Sequence, residues 1–454
     1  MFPQFPPGFR FGTSTAAYQI EGAVAEDGRG PSIWDTFTAQ PGRIADGTSG
    51  EVACDHYHRW EEDVALIKEL GAPGYRFSIA WPRIQPTGSG PANAKGLAFY
   101  DRLIDALLEA GVQPMVTLYH WDLPQALEDD GGWLNRETID RFAEYAGIVG
   151  DAFADRVEHW VPINEPNVVT SLGYGIGEHA PGKRLLFDAL HVAHHLLLGH
   201  GRATIALRSA GATSIGCANT HAPIWPASDD DADVGASKLF DTIWNGMYIE
   251  PMLLGRYPAD LAFLMDDLVL PGDMATIRQP LDFYGVNYYS PLKVAAAPDE
   301  ADMPWELLEP LGFPLTDRGW PVVPDALREW LIMFRARYRA ALPPIMITES
   351  GCAYSDEPDA SGVVDDQRRI DCLDAHLRAV STAIQRGVDV RGYYTWSLMD
   401  NFEWAEGLAQ RFGLVHVDYE TLRRTPKKSF RWYSDVIAAQ PAQPAPNNGP
   451  SANL

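Results

Sequence analysis

Short apolar stretches rich in β-branched and aromatic residues recur along the chain, and each has the length of a buried β-strand. Between them lie longer segments such as RWEEDVALIKELG and RIDCLDAHLRAVSTAIQRGV, in which apolar residues follow helical spacing and glycine stands near the end. Strand and helix patterns therefore alternate over most of the sequence. The predicted strands cover residues 9–13, 75–79, 114–119, 157–163, 214–220, 283–288, 345–348 and 390–396.

Eight strands alternating with helices predict an α/β protein with a single (β/α)8 TIM barrel, in preference to an open doubly wound sheet. The length of 454 residues would also allow two or three smaller domains. However, no linker rich in proline, glycine and serine precedes residue 437, so we predict one barrel domain over residues 1–437. Residues 438–454 are rich in proline, alanine and asparagine without an apolar period, and we predict a disordered tail there.

Two long segments without a clear period, residues 221–236 and 296–320, follow the fifth and sixth predicted strands. Loops at this end of a barrel commonly carry binding residues, so we expect both segments to form walls around a site. The first segment contains the acidic run Asp229, Asp230 and Asp231, which we interpret as a solvated loop tip.

Two glutamates each end an apolar strand: Glu165 in WVPINEP and Glu349 in IMITESG. The carboxyl ends of parallel barrel strands share one rim, so side chains after strands four and seven can face each other across the barrel. Cleavage of a glycosidic bond requires one carboxylic acid and one carboxylate in such an arrangement. Taken singly, a glutamate after an apolar strand can equally cap the next helix.

The overall charge argues against a polyanionic partner. A formal net charge of −25 and a sequence pI of about 4.8 would repel nucleic acid, and no basic patch interleaved with aromatic residues occurs. We therefore predict that the protein does not bind nucleic acid.

The cysteines indicate neither a disulfide framework nor a metal site. They are widely spaced, without a CxxC pair or a nearby histidine cluster, so we predict buried, reduced thiols and no metal or cofactor. Cys352, although close to Glu349 in sequence, is interpreted as a core residue and not as a nucleophile. The four residues are Cys54, Cys217, Cys352 and Cys372.

The first residues, MFPQFPPGFRFG, lack the basic and apolar regions of a secretory signal, and no apolar run approaches the roughly 20 residues of a membrane span. We therefore predict a cytoplasmic protein without a membrane partner. The sequence does not distinguish a monomer from a homo-oligomer.

A series of segments runs in order along residues 8–435: FRFGTSTAAYQIEGA, DHYHRWEEDVALIKELG, YRFSIAWPRI, TLYHWDLP, NEP, GVNYYS, GWPVVP, TESG, YYTWSLMDNFEWAEG and RFGLVHVDY. This series resembles glycoside hydrolase family 1, the β-glucosidases. The resemblance implies a catalytic barrel that hydrolyses terminal non-reducing β-D-glucosyl residues with retention, through a covalent glycosyl-enzyme intermediate. Aryl and alkyl β-glucosides and cellobiose-type oligosaccharides are the implied substrates, with β-galactosides or β-fucosides in addition. The implied partner is thus a small-molecule sugar.

By this resemblance Glu165 is the acid/base and Glu349 the nucleophile. The resemblance also places Arg76 and Tyr289 at the oxygens of Glu349, where a positive charge and a hydroxyl would lower its pKa. A neighbouring anion in a partly dry pocket would raise the pKa of Glu165 and keep it protonated. For retention we predict a separation of about 5–5.5 Å between the two carboxyl groups.

The resemblance also implies a set of sugar-binding residues. A pyranose has hydroxyl groups around its edge and a C–H face, so it needs amide and carboxylate partners and an indole platform. Asn164 is expected at the 2-hydroxyl, Trp396 beneath the ring and Trp320 on the aglycone side. Without the resemblance, His120 and Trp121 could be core residues. The predicted binding set is Gln19, His120, Trp121, Asn287, Trp320, Trp396, Glu403 and Trp404.

Three positions depart from the family pattern. Pro162 stands where the family usually has threonine, and because proline lacks an N–H we expect altered pairing of strand four near Glu165. Ser350 replaces the usual asparagine after the nucleophile, which could loosen hydrogen bonds around it. Asn167 replaces a tryptophan found in many members, so we expect a more open and polar aglycone entrance.

Three rival functions are disfavoured by particular residues. A 6-phospho-β-glucosidase would need a cationic phosphate cradle, whereas Glu403 would repel phosphate and NFEWAEGLAQRFG offers no lysine. A myrosinase-like enzyme would have glutamine in place of Glu165. A non-catalytic sugar or protein binder would lack one of the two carboxylates, and both are present.

Overall fold

A computed structural model describes residues 2–441 of the protein. Its centre is a closed barrel of eight parallel strands, each hydrogen-bonded to the strands before and after it, with β8 closing onto β1. The strands are β1 (Arg10–Ser14), β2 (Gly74–Ser78), β3 (Gln113–Tyr119), β4 (His159–Ile163), β5 (Ser214–Thr220), β6 (Phe283–Asn287), β7 (Ile345–Ser350) and β8 (Val390–Trp396).

A helix follows each barrel strand before the next one begins. The helices bury an apolar stripe against the barrel, as the helical spacing of apolar residues predicted. They are α1 (His56–Leu70), α2 (Ala94–Glu109), α3 (Glu137–Phe153), α4 (Leu190–Ser209), α5 (Met247–Leu254), α6 (Pro324–Tyr338), α7 (Gln367–Gln385) and α8 (Lys428–Ala438). Shorter helices are Ala17–Ile20, Ile33–Thr38, Trp81–Ile84, Gln125–Asp129, Pro166–Val168, Asp231–Asp241, Ala259–Met265 and Asp273–Ile277, with single 3₁₀ or π turns at Gly132–Leu134, Val169–Gly175, Leu186–Ala189, Thr242–Gly246, Arg339–Ala341 and Trp404–Glu406.

The predicted TIM barrel is confirmed, and all eight predicted strands overlap the observed ones. The largest differences are two residues each: β7 ends at Ser350, two residues later than predicted, and β4 begins two residues later than predicted. The start of β4 has a local cause. The reason is that the Val157 N–H donates to the Phe153 carbonyl at 3.0 Å, so this amide completes the end of α3 and is not free for the sheet.

The two segments predicted as rim walls are more regular than expected. They contribute the strands Ile224–Pro226 and Trp305–Leu308, which join Leu292–Ala296 in a three-stranded sheet at the rim. The interpretation of Asp229, Asp230 and Asp231 as a loop tip was wrong in part. Asp230 is the N-cap of the helix Asp231–Asp241, and acidic residues at this position favour helix formation because they face the positive end of the helix dipole.

Pairing of β4 changes next to Pro162, as predicted. The ladder to β5 ends at Trp160 opposite Ile215 and resumes only at Asn164, which bridges to Ala218. The Glu165 N–H then donates to the Ala218 carbonyl at 2.8 Å. The backbone that carries Glu165 is therefore still fixed by the neighbouring strand, beyond the interruption.

The last helix α8 ends at Ala438, and Gln440 after it contacts the start of the chain. Its side-chain Nε2 donates to the Pro3 carbonyl at 3.2 Å, and its Oε1 accepts from the Phe5 N–H at 3.2 Å. Within the part of the predicted tail that the structure describes, Gln440 is thus hydrogen-bonded to the N-terminal segment. The remainder of the predicted tail lies outside the described residues.

A buried ionic cluster holds the segment that follows β8. The carboxylate of Asp400 accepts from Lys427 Nζ at 2.9 Å, from Arg411 at 3.0 Å and from the Gly413 N–H at 2.9 Å. Lys427 and Asp400 are both inaccessible to solvent. Because an unpaired buried charge is costly, this cluster fixes the backbone immediately before Glu403.

We expect Lys427→Met to destabilise the fold by about 3 kcal/mol, because Asp400 would keep its charge in the interior with one cation fewer. The measurement is urea-induced unfolding followed by tryptophan fluorescence. The control is Lys428→Met at the next position, where the ammonium is half exposed and pairs with Asp365 at 2.7 Å. That surface pair should contribute less than about 1 kcal/mol. Equal losses for the two variants would contradict the prediction.

Within residues 2–441, none of the helices combines the length and the apolar character that a bilayer crossing requires.

Candidate active site

A cavity of about 340 Å³ opens at the carboxyl ends of the barrel strands. Nine of the thirteen predicted site residues line it, and the remaining four, Arg76, Asn164, Asn287 and Gln19, are hydrogen-bonded around its wall. The lining residues are His120, Trp121, Glu165, Tyr289, Trp320, Glu349, Trp396, Glu403 and Trp404.

Glu349 lies near the end of β7 with its two carboxylate oxygens held by different partners. Arg76 on β2 donates from its guanidinium to Oε1 at 2.5 Å, and the Tyr289 hydroxyl donates to Oε2 at 2.8 Å. The side chain is almost fully buried. Both predicted partners are therefore in contact with the predicted nucleophile, and they fix its orientation toward the cavity.

Glu165 follows β4 and has a left-handed backbone with φ of 48°. This conformation is uncommon for a residue with a side chain and is a source of strain that often accompanies function. The next residue, Pro166, starts the short helix Pro166–Val168, and its fixed φ suits a first helical position. The Glu165 side chain makes no capping hydrogen bond to this helix, so the alternative role of a helix cap does not apply.

Two asparagines connect the two carboxyl groups. Asn287 at the end of β6 donates from Nδ2 to Glu165 Oε1 at 2.7 Å, and the same group lies 3.1 Å from Asn164 Oδ1. Asn164 Oδ1 in turn accepts from Arg76 at 2.6 Å, and Arg76 holds Glu349. A continuous hydrogen-bonded path of buried groups thus joins strands β2, β4, β6 and β7.

The different surroundings of Glu165 and Glu349 shift the pKa values of the two carboxyl groups to different extents. Burial, reinforced by the charge of Glu349, raises the pKa of Glu165 well above its usual value. Burial also raises the pKa of Glu349, but Arg76 and Tyr289 offset this effect in part. Arg76 and Tyr289 lower the pKa of Glu349, as expected, but burial raises it by more. Glu349 therefore ionises first, and Glu165 retains its proton.

We expect the pKa of Glu165 to fall in Glu349→Gln, because the variant removes the anion that opposes ionisation of Glu165. The carboxyl ¹³C shifts of labelled glutamate, followed through a pH titration, measure this change. Glu403→Gln is the matched control, since the charge of Glu403 raises the pKa of Glu165 by less than the charge of Glu349 does. An unchanged pKa in Glu349→Gln would show that the two carboxyl groups do not interact.

Aromatic rings form one side of the cavity. The His120 ring lies parallel to Trp396 at 5.9 Å between centroids and to Trp404 at the same distance. Trp121 packs against Trp404 at 4.4 Å, and its indole N–H donates to the Asn164 carbonyl at 2.9 Å. Burial and the nearby Arg76 lower the pKa of His120 well below its usual value, so the imidazole is neutral. These rings provide apolar faces of the kind that bind the C–H face of a pyranose.

Gln19 and Glu403 lie close together at the base of the cavity. Gln19 Nε2 donates to the Phe402 carbonyl at 2.8 Å and to Asn401 Oδ1 at 3.1 Å, which leaves Gln19 Oε1 without a partner among the described residues. Glu403 Oε2 has none either. Burial raises the pKa of Glu403 to about 7. Two buried acceptors without donors favour a ligand rich in hydroxyl groups.

Trp320 forms the outer wall, beyond Glu349. It packs against Tyr289 at 5.3 Å, and the guanidinium of Arg318 lies 4.8 Å from its ring centroid. Arg318 also pairs with Glu406 at 3.1 Å. Trp320 is therefore fixed against the catalytic side of the cavity, and is not a freely exposed loop residue.

The sequence prediction missed several lining residues. His179 is buried with both ring nitrogens unpaired among the described residues, and its ring lies 5.6 Å from Trp121. Arg318 stands two positions before Trp320. Its closeness in sequence to this predicted wall residue was the one feature that could have indicated a place in the cavity. No period or pairing in the sequence marked His179. Other missed lining residues include Leu172, Phe240, Trp244, Leu307 and Phe412.

Asn167 does not make the entrance polar, contrary to the expectation. Its side chain is buried, and Nδ2 donates to the carbonyls of Thr220 at 2.9 Å and Trp244 at 3.3 Å. The amide is thus used to hold two backbone segments of the wall. Trp244 instead lines the cavity with its ring.

The four cysteines are buried and free, as predicted. Within residues 2–441, no group of three or more histidine, cysteine, aspartate or glutamate side chains is arranged to hold a metal ion. The reactive groups that line the cavity include the carboxyl groups of Glu165, Glu349 and Glu403. A barrel with two opposed, differently protonated glutamates above a sugar-sized cavity is the arrangement of a glycoside hydrolase.

Comparisons with known proteins agree with this class. The model of the family described as Glycosyl hydrolase family 1 matches residues 1–441. Beta-glucosidase A of Acetivibrio thermocellus is 46% identical over 95% of this chain and 98% of that protein. A bifunctional beta-D-glucosidase/beta-D-fucosidase of Bifidobacterium breve is 45% identical over 97% of this chain and 99% of that protein.

Solved structures agree as well. The family 1 β-glucosidase of Thermotoga maritima in complex with isofagomine lactam is 43% identical, with a TM-score of 0.92 over 96% of this chain and 99% of that chain. The AHE enzyme of Alicyclobacillus herbarius is 46% identical, with a TM-score of 0.93 over 97% of this chain and 98% of that chain. The chain therefore belongs to glycosyl hydrolase family 1, and the predicted family and enzyme class are confirmed.

Proposed function

We propose that Glu165 and Glu349 perform double displacement on β-D-glucosides, with Glu165 as acid/base and Glu349 as nucleophile. The observation that carries these roles is the difference in their surroundings. Glu349 is held by a cation and a hydroxyl, whereas Glu165 contacts an amide and faces the charge of Glu349. The general activity, a retaining β-glucosidase of family 1, follows from the family and its relatives.

In the first step, Glu349 attacks the anomeric carbon while Glu165 transfers its proton to the departing glycosidic oxygen. The bond from carbon to the aglycone breaks as the bond to Glu349 Oε forms. Arg76 and Tyr289 keep the attacking carboxylate fixed, so little reorganisation is needed at the moment of attack.

In the second step, a water molecule attacks the glycosyl ester and Glu165 accepts its proton. Formation of the ester removes the negative charge of Glu349, which is the charge that reinforces the high pKa of Glu165. Loss of that charge lowers the pKa of Glu165, so the same residue becomes a base when a base is required. This cycle predicts that the two carboxyl groups are about 5–5.5 Å apart.

The glucosyl unit is positioned by the buried polar groups and rings already described. Asn164 is placed to contact the 2-hydroxyl, where a hydrogen bond strengthens as positive charge develops and therefore lowers the barrier. Gln19 and Glu403 offer their unpaired oxygens to the outer hydroxyl groups. Trp396 and Trp404 cover the C–H face and edge of the ring. Trp320 faces the aglycone.

Glycones with altered hydroxyl groups are accepted as well. The carboxyl group of Glu403, with a pKa of about 7, can donate or accept a hydrogen bond near neutral pH, so it tolerates a changed or missing hydroxyl group. Activity on β-D-fucosides, the second activity named for the Bifidobacterium breve relative, follows from this adaptability. Relative turnover of aryl β-glucosides, β-galactosides and β-fucosides measures the range.

The decisive experiment is to trap the covalent intermediate. A 2,4-dinitrophenyl 2-deoxy-2-fluoro-β-D-glucoside should release its phenol once and leave a sugar attached, because the fluorine slows both steps and the activated phenol restores only the first. Proteolysis and mass spectrometry should find the label on Glu349. A label on Glu165, or steady turnover without any label, would refute the assigned roles.

The cytoplasmic location stays a prediction. Cell fractionation followed by aryl glucosidase assays tests the location, and sedimentation at several protein concentrations determines whether the chain is a monomer or a homo-oligomer.

A further inference from the structure

A second cavity, of about 140 Å³, lies beside the active-site cavity. It contains neither of the two catalytic glutamates nor Trp320. Its walls come from the π turn Val169–Gly175, the turn Leu186–Ala189, the helix Asp231–Asp241 with the residues after it, and the rim strand Trp305–Leu308. It is therefore built by the rim segments and not by the barrel.

The walls of this second cavity are apolar. Among the described residues that line it, none is charged, and the Thr170 hydroxyl already donates to the Pro166 carbonyl at 2.8 Å. The other polar groups in the lining are the Ser171 hydroxyl and the buried indole N–H of Trp244, which has no partner among the described residues. The lining residues are Thr170, Ser171, Leu172, Gly175, Ile176, Leu186, Phe187, Ala189, Leu190, Phe240, Ile243, Trp244, Met303, Trp305 and Leu307.

The two cavities share one wall. Leu172, Phe240, Trp244 and Leu307 line both of them. Asn167, which the family resemblance places at the aglycone entrance, donates to the Trp244 carbonyl at 3.3 Å and so connects this wall to that entrance. Leu307 is 55% exposed, so the shared wall reaches the molecular surface. The second cavity is thus a continuation of the aglycone side of the active site.

We propose that the second cavity binds the apolar tail of the aglycone, so that the enzyme prefers β-D-glucosides of apolar alcohols over oligosaccharides. This inference rests on the proposed function, because only a glucoside bound at Glu165 and Glu349 would direct its aglycone to the shared wall. An apolar cavity of about 150 Å³ accepts one benzene-sized molecule. The second cavity therefore has room for about six carbon atoms.

A second sugar would fit this cavity poorly. Its hydroxyl groups would lose their water and meet mostly apolar side chains, among which the Ser171 hydroxyl and the Trp244 indole N–H could replace only a few of the lost hydrogen bonds. The outer surface agrees with an apolar substrate, because Leu308, Leu311 and Phe313 on the neighbouring rim segment are 41%, 82% and 39% exposed. Exposed apolar residues next to a cavity mark the approach of an apolar ligand.

The test is a series of linear alkyl β-D-glucosides, from methyl to decyl, assayed below their critical micelle concentrations. We expect KM to fall by up to about fourfold for each methylene that enters the cavity, which corresponds to about 0.8 kcal/mol. The decrease should end when the cavity is full, after about six carbons within it. The value of kcat should stay nearly constant, because the tail binds equally in ground and transition states.

Two variants test the location of the tail. Ile243→Asn introduces an amide into the second cavity, and Ser171→Phe fills part of it, while neither residue lines the catalytic cavity. Both should flatten the dependence of KM on chain length. Ile205→Asn, which changes an exposed residue on α4 that lines neither cavity, is the matched control and should retain the full dependence.

The outcomes separate the two proposals. If methyl β-D-glucoside is turned over but KM does not change with chain length, or if cellobiose has a lower KM than octyl β-D-glucoside, the second cavity does not bind aglycones. The same conclusion follows if both variants keep the wild-type dependence. If no β-D-glucoside in the series is turned over, the proposed function itself is wrong.

Discussion

Glu349→Gly should lower kcat/KM for 4-nitrophenyl β-D-glucoside by at least about 10⁴-fold, because the variant removes the group that forms the covalent intermediate. Arg76 and Tyr289 would remain, and with them a site that stabilises an anion at the vacated position. Added azide should therefore restore cleavage of the aryl glucoside. The product should be the α-glucosyl azide, because azide would approach from the face on which Glu349 attacks.

The configuration of that product is the informative measurement, and proton NMR of the anomeric position determines it. The control is Glu300→Gly, which removes an exposed carboxylate from the segment after β6 and should change kcat/KM by less than about twofold. If azide gave the β-glucosyl azide with Glu349→Gly, attack would occur on the opposite face and Glu349 could not be the nucleophile.

The barrel and the two glutamates were predictable because both depend on local patterns. Short apolar strands alternating with helical segments specify a parallel barrel, and the ends of parallel strands share one rim. Glu165 and Glu349 each follow such a strand, so their approach to one cavity required no knowledge of the loops. The family resemblance then predicted Arg76 and Tyr289 as partners of Glu349, and in the structure both donate hydrogen bonds to its carboxylate.

The loop residues were less predictable, because their positions depend on contacts between segments far apart in sequence. Arg318 reaches the cavity through its contacts with Trp320 and Glu406, which no local period indicates. The same applies to Asn167, whose amide contacts the backbone of Thr220 and Trp244 instead of the entrance. Burial of a polar side chain is decided here by tertiary packing and not by the strand pattern.

Backbone strain at the site also lies beyond sequence patterns. Glu165, Trp121 and Trp404 have φ values of 48°, 78° and 47°, in a region that residues with side chains rarely adopt. Each such residue costs about 1–3 kcal/mol and persists only where the surrounding structure compensates. All three line the active-site cavity, so the packed barrel around them maintains the orientation of the acid and of two rings.

The assignment of Glu165 as acid/base predicts a loss that depends on the leaving group. In Glu165→Ala, release of dinitrophenol from its β-glucoside should stay fast in the first turnover, because this phenolate departs without a proton. Methyl β-D-glucoside needs protonation of its oxygen, so its turnover should fall by about 10²–10⁴-fold. The second step lacks its base with either substrate. With the dinitrophenyl glucoside the glycosyl-enzyme should therefore accumulate, and its formation should be seen as a burst of released dinitrophenol.

Azide and pH provide two independent measurements on Glu165→Ala. Azide should attack the accumulated glycosyl-enzyme from the face that Glu165 normally serves. The product should be the β-glucosyl azide, which has the opposite configuration from the Glu349→Gly product.

The wild-type enzyme should lose activity at high pH as Glu165 ionises, because burial and the charge of Glu349 place its pKa well above the usual range. This alkaline decrease should disappear from kcat/KM of the variant for the dinitrophenyl substrate. Equal losses for both glucosides, with the alkaline decrease retained, would show that another group supplies the proton.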